Sequence, residues 1–263
     1  MDAAACSRLL NGMAYHITGL ISAVIFLLTV SGLWSQLQSV WQRRHEQRDV
    51  AGFSTAVLSL NQFLSSFLAF FSFFLYGMCL NPFNHYLVWP RLIASVLTLG
   101  VLYEIMRDRK RALPTLVFLA CTVLLLGAPL FLILNPQLVA VGRRLSQGLI
   151  LTVTVVLAQG YSHQILLIRQ SGQTGAVSLR LHQFFFLKDA STIAFALAMG
   201  LAGGWPLLLL SSVSGLTKLA AMWHFRWARL SPVARERRES RLAPASAIQG
   251  TSEETPAFPT PTA

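Results

Sequence analysis

Three ionisable side chains lie well inside largely apolar stretches: Lys188 and Asp189 between residues 177 and 201, and Lys218 between residues 205 and 226. In hydrocarbon such groups cost several kcal/mol each, so they mark a pathway, a proton relay or a structural ion pair. Asp189 placed there could take up a proton or hold a cationic group of a substrate, with a lysine as its counter-charge. At ~1.5 Å per residue, Lys188 and Asp189 lie roughly 18 to 20 Å from the start of their helix, and Lys218 lies about 10 Å from the end of its own. His182 is at about the depth of Lys218. Neighbours on a helix point about 100° apart, so Lys188 and Asp189 are expected on different faces, Asp189 turned inward and reached by the long arm of Lys218. The competing reading is an ion pair that only fixes helix packing.

The elements that hold these groups must be membrane helices. Apolar residues make up 54% of the 263-residue chain and charged residues 12%, too little polar surface for a soluble domain of this size. Seven segments have the roughly 20 apolar residues a spanning helix needs: 16–40, 52–79, 86–106, 113–134, 146–168, 177–201 and 205–226. The first is too long for a signal-peptide core and is expected to stay in the mature protein. The net charge of +11 falls in short clusters between these blocks, a topology signal with none of the aromatic interleaving of a nucleic-acid surface. Arg43, Arg44 and Arg48, then Arg107, Arg109, Lys110 and Arg111, then Arg169, then six arginines from Arg226 to Arg241 share one side. The other side has Arg8, Arg143 and Arg144. The positive-inside rule puts the N-terminus outside and the C-terminus in the cytoplasm. Residues from 229 on are basic and then rich in Pro, Ser and Thr, which predicts a disordered cytoplasmic tail. Cys6, Cys79 and Cys121 lack metal or redox spacing, and no metal site or cofactor is expected.

The chain repeats itself. Leu37 and Gln38, a basic loop, then Gly52, Phe53 and Ser54 parallel His163 and Gln164, a polar loop, then Gly175 to Ser178. Each copy continues through a phenylalanine-rich span to a glycine, Gly77 after Tyr76 or Gly200 after Met199, and restarts with Trp89 and Pro90 or Trp205 and Pro206. Proline is expected there in the first turn of a helix, where its missing N–H costs nothing. Gly100 and Gly215 punctuate the third helix of each copy. Three spans per copy with one between them predict an all-α membrane fold of two parallel three-helix repeats joined by a linker helix. The expected divisions are an extracytoplasmic segment 1–15, a first repeat 16–111, the linker helix within 112–145, a second repeat 146–228 and the tail 229–263.

This pattern resembles the PQ-loop superfamily, and within it the MtN3/saliva or SWEET transporters, over residues 20–228. The stretches from Phe73 to Gly77 and from Gly100 to Ile105 are the most similar. The resemblance implies a small-solute transporter working by alternating access, with Phe73 as a pocket aromatic. Leu37 and His163 stand where the family has the proline of its Pro-Gln pair, and Leu97 and Ser212 stand where sugar transporters place a pocket asparagine. The candidate positions for substrate binding or coupling are therefore Asp189, Lys188, Lys218, His182, Phe73, Ser212 and Leu97. Gln38, Gln164, Tyr76, Gly77, Pro90 and Pro206 are repeat-motif positions. The two glutamines are expected to hydrogen-bond helix ends across the repeat interface.

Other charged or aromatic residues have structural readings. Glu104 is expected to pair at the surface with Arg107, Arg109 and Arg111, and Arg91 to snorkel to the outer interface. The runs Phe70 to Phe74 and Phe184 to Phe186 read as lipid-facing or packing surface. The expected partners are membrane lipid and a small solute (a sugar or other metabolite, moved with protons in one version), with further copies of the chain as an option and no nucleic acid. The second functional class is a receptor or assembly factor that binds on this fold without transport. A retinal protein would need a carboxylate counterion that the third span lacks, and no nucleophile–base pair or phosphate loop suggests an enzyme. Arginine outnumbers lysine by eighteen to three, which points to a GC-rich genome and a bacterial inner membrane.

Overall fold

The computed structural model describes residues 3–46, 55, 58–171 and 179–237. Within them the chain folds into helices: α1 Ala3–Glu46, α2 Leu60–Met78, α3 His85–Arg109, α4 Ala112–Leu134, α5 Val139–Ser171, α6 Leu179–Ala198 and α7 Leu201–Leu230, with a single 3-10 turn at Pro136–Leu138. No strand occurs among the described residues. Six of these helices are long and apolar enough to cross a membrane, which fits an integral multi-pass membrane protein. The other is α6, whose apolar content is diluted by His182, Gln183, Lys188 and Asp189.

Two compact units make up the chain, and their boundaries fall inside helices. The first contains residues Met1–Ala158 and Phe185–Gly215; the second contains Gln159–Phe184 and Leu216–Ala263. In the first unit α3 packs against α1, α2 and α4, and α2 also packs on α4. Its main core is the phenylalanine face of α2, Phe63, Phe67, Phe71 and Phe74, set against Leu37, Val101, Leu102, Ile105, Cys121 and Leu125. The phenylalanine run in α2 is therefore packing surface, whereas Phe184 on α6 is exposed. A second cluster joins Phe73, Tyr76 and Leu87 to Ile150, Phe195 and Leu207. In the second unit Ile168, Phe225 and Ala228 pack together, flanked by Leu179 and Trp227.

Several helix ends differ from the sequence-based boundaries. Instead of starting near residue 52, α2 begins at Leu60 behind the N-cap Ser59, whose hydroxyl accepts from the Gln62 N–H. The segment before it is tied to the end of α3. The Asp108 carboxylate accepts from both the N–H (2.9 Å) and the hydroxyl (2.7 Å) of Thr55, and the Arg109 guanidinium donates to the carbonyls of Thr55 and Leu58. Glu104 is buried and does not pair with the arginines of its own helix end. It accepts from the Trp41 indole at 3.1 Å and from Arg44 at 2.9 Å, both on α1, because its side chain projects from the α3 face that packs on α1. Arg91 does not snorkel outward: it too lies on the buried side of α3. The segments Gly52 to Ser54 and Gly175 to Ser178 of the repeat, and the tail beyond residue 237, lie outside the described residues.

The paired glycines and prolines of the repeat also have different settings. Gly77 lies within α2 at a close approach to α3, where an added Cβ would come within 2.9 Å of Val88 and 3.2 Å of Leu87. Gly200 instead ends α6 with φ of 77°, a left-handed C′ position that disfavours any residue with a Cβ. Pro90 and Pro206 are both sixth in their helices, beyond the first turn, because α3 starts at His85 behind the Asn84 cap and α7 at Leu201 behind Gly200. Each therefore removes an N–H that the carbonyl four residues earlier would have accepted. At the α6–α7 turn a Cβ on Gly204 would stand 2.0 Å from the Ala196 carbonyl oxygen, whereas one on Gly127 would meet nothing within 4 Å. Gly204→Ala is accordingly expected to lower the melting temperature in detergent drastically or abolish folding, while Gly127→Ala is neutral or stabilising by up to about 1 kcal/mol.

Candidate functional site

The polar groups of α7 lie on a strict stripe. Leu207, Ser211, Ser214, Lys218, Ala221, Phe225 and Ala228 recur at alternating spacings of four and three, and all are buried. On α6 the buried positions His182, Asp189, Thr192 and Ala196 follow a similar period. These helices bury hydroxyls and charges where soluble helices bury leucines, an arrangement that pays only if the polar groups satisfy one another.

In the first unit Asp189 is 1% exposed and takes two strong partners. One carboxylate oxygen meets the Lys188 ammonium at 2.8 Å, and the other accepts from the Ser214 hydroxyl at 2.8 Å. Although adjacent residues on a helix are expected on different faces, the four-carbon arm of Lys188 brings its ammonium to the Asp189 carboxylate. Lys188 also anchors the next turn, since Ser191 and Thr192 both donate to its carbonyl, at 2.8 and 2.9 Å. Thr192 in turn lies 3.4 Å from Ser22 of α1. Gly215 lies beside this site: a Cβ added there would stand 3.8 Å from the Asp189 Cβ and the Phe186 ring. A Cβ added at Gly100, by contrast, would stand 3.5 Å from Leu37 of α1, so the two glycines face different helices.

A second polar centre in this unit surrounds Pro206. The proline leaves the Ala202 carbonyl without its helical donor, and the Arg143 guanidinium supplies one at 2.9 Å. The adjacent Gly203 carbonyl accepts from the Tyr76 hydroxyl at 2.9 Å, and Arg143 also stands 5.9 Å over the Tyr76 ring. Tyr76 of the repeat motif thus ties α2 to the start of α7. Arg143, which the sequence marked only as a topology charge, ties α5 to the same turn. Asn84 caps α3 through the Leu87 N–H and reaches the Met199 sulfur at 3.4 Å.

The second unit holds the other two predicted ionisable residues. His182 and Lys218 are both buried, and both stand against Tyr161 of α5: the ammonium 5.5 Å from the ring centroid, the imidazole edge-on at 6.3 Å. Phe225 closes on the imidazole at 5.4 Å. A cation over an aromatic face is attracted by the ring quadrupole. Tyr161 was missed in the sequence because its partners come from two other helices. At the end of α7 an exposed groove is lined by Trp223, Arg226, Trp227, Leu230 and Ser231, the mixture of indole and guanidinium that suits a membrane–water interface.

The remaining predicted positions have plainer surroundings. Phe73 is packed in the core between Tyr76 and Phe195, Leu97 flanks the small cluster of Phe26, Val30 and Ala94, and Ser212 is half-buried. Gln38 is exposed and makes no hydrogen bond among the described residues, while the Gln164 side chain lies outside them.

Asp189→Ala leaves the part-exposed Lys188 ammonium and the buried Ser214 hydroxyl without their acceptor, and is expected to cost about 1–3 kcal/mol in an unfolding titration in detergent. The double substitution Lys188→Met with Asp189→Leu should recover at least half of that loss. Tyr76→Phe should cost about 1 kcal/mol, the value of one hydrogen bond. Compared with known proteins, the chain matches no family model and no curated protein.

Proposed function

We propose that this chain is a small-solute transporter of the PQ-loop type, similar to the MtN3/saliva family, with seven spans in a 3+1+3 order. The observation that carries this reading is the Lys188–Asp189–Ser214 cluster, a buried carboxylate and hydroxyl with a part-exposed ammonium, within a helix pair of a membrane protein. By insertion scales each such charge costs about 2.5–3.5 kcal/mol at the bilayer centre, a penalty that a purely structural role would meet more cheaply with apolar packing. The direct ion pair also supports counting α6 as a seventh span, because its 20 residues reach about 30 Å and its two central charges offset each other.

In this reading Asp189 takes up a proton or a cationic group of the solute, and Lys188 is the counter-charge released when it does. Ser214 orients the carboxylate. Lys218 and His182, held on Tyr161, form a separate polar centre within the second unit. The loop charges favour an outside N-terminus and a cytoplasmic C-terminus in a bacterial inner membrane.

One observation favours the alternative of a non-transporting receptor or assembly factor. Helices α1 and α5 run without interruption through Leu37 and His163, the positions of the family's hinge proline, and Leu37 is locked in the core against Gly100.

Counterflow in reconstituted vesicles separates the two. A panel of labelled monosaccharides and amino acids is tested with and without a pH gradient, and the wild type is expected to exchange at least one of them. Asp189→Asn should reduce that exchange at least tenfold while remaining folded and monodisperse. Exchange at the wild-type rate in Asp189→Asn removes the mechanism, and no exchange of any solute favours the receptor.

A further inference from the structure

We infer that Arg91 and Phe26 form a binding site for an oxyanion group, the carboxylate or phosphate of a ligand, between α1 and α3 of the first unit. Arg91 belongs to the core-facing stripe of α3, on which Leu87, Arg91, Ala94, Thr98, Val101 and Ile105 recur at the four–three spacing and are all buried. Its own exposure is 6%. The guanidinium carbon stands 3.7 Å from the centroid of the Phe26 ring. That stacking covers one face of the planar cation and leaves its N–H edges directed sideways, the edges that take an oxyanion in bidentate fashion.

Among the described residues no acid lies within ion-pair range of these donors, and no carbonyl accepts from them. Glu104, the one carboxylate buried on the same helix, is committed to Trp41 and Arg44. A cation–π contact is a smaller term than the penalty for taking a guanidinium out of water, so the balance lacks an anion. The adjoining surface is polar as well. Ser95 and Thr98, one and two turns further along the same face, are fully buried with their hydroxyls bonded back to the Arg91 and Ala94 carbonyls. Ser22, one turn before Phe26 on α1, is buried too. An arginine whose side chain is packed in the protein and whose unpaired donors reach accessible surface, beside a hydroxyl-lined face, is a receptacle for an anion, and its position six residues after the start of α3 admits either a soluble anion or a lipid headgroup phosphate.

The inference does not depend on the transport reading, because binding is measured without turnover. The full-length protein in neutral detergent is melted, with tryptophan fluorescence as the readout, in sodium phosphate, sodium acetate or sodium chloride of equal ionic strength. A parallel set contains phosphatidylglycerol or phosphatidylcholine. A ligand that binds only the folded state raises the melting temperature. Phosphate or acetate is expected to raise it by a few degrees over chloride, and Arg91→Gln to abolish the increment. An increment seen with phosphatidylglycerol alone, and lost in Arg91→Gln, assigns the site to a lipid phosphate. Should Arg91→Gln fail to fold, Phe26→Leu carries the test, because it keeps the guanidinium and removes its stacking platform; the half-saturating anion concentration should rise several-fold. An unchanged increment in Arg91→Gln, an unchanged half-saturation in Phe26→Leu, or no anion effect on the wild type overturns the proposal.

Discussion

The meeting of the Asp189 carboxylate with the Lys188 ammonium and the Ser214 hydroxyl is the interaction on which the polar interior depends. Lipid offers no water to a stranded charge, so an ionisable group on a buried face needs a counterpart, from the protein or from a bound ligand. That requirement explains why α6 can hold an aspartate and a lysine at its centre, and why α7 brings a serine to the same height. Gly215 lies beside them, where an added Cβ would meet the Asp189 Cβ and the Phe186 ring at ordinary van der Waals distance.

Backbone groups obey the same rule. Pro206 removes a helical donor, and Arg143 from α5 fills the gap on the Ala202 carbonyl while Tyr76 from α2 takes the next carbonyl. A local defect in one helix thus becomes a tether for two others. On the opposite end of the first unit, Asp108 and Arg109 do comparable work for the chain before α2, whose N–H and carbonyl groups at Thr55 would otherwise be buried without partners.

Much of this was legible from residue types. In a helix whose outer face is as apolar as its inner one, hydropathy does not mark the core, but the polar residues do. On α7, Ser211, Ser214 and Lys218 fall on one stripe, and on α3 Arg91, Ser95 and Thr98 lie on one side. Reading the spacing of the exceptions would have found the buried position of Arg91, which the general tendency of arginine to snorkel concealed. Tyr161, Arg143 and the α1 partners of Glu104 were not legible, because each contact joins residues far apart in the chain and no local pattern encodes which helix lies opposite.

By itself, then, the sequence determined that the chain is helical and apolar enough to cross a membrane repeatedly, since those properties follow from composition and segment length alone. It also determined which helices hold charge, and where along them. Only the tertiary structure decided what each charge meets, that Lys188 bends back to Asp189, that Glu104 turns to α1, and that matching glycines and prolines serve different ends. The physical reason is that side-chain pairing depends on helix rotation and approach distance, which packing of the whole chain sets and no single segment contains.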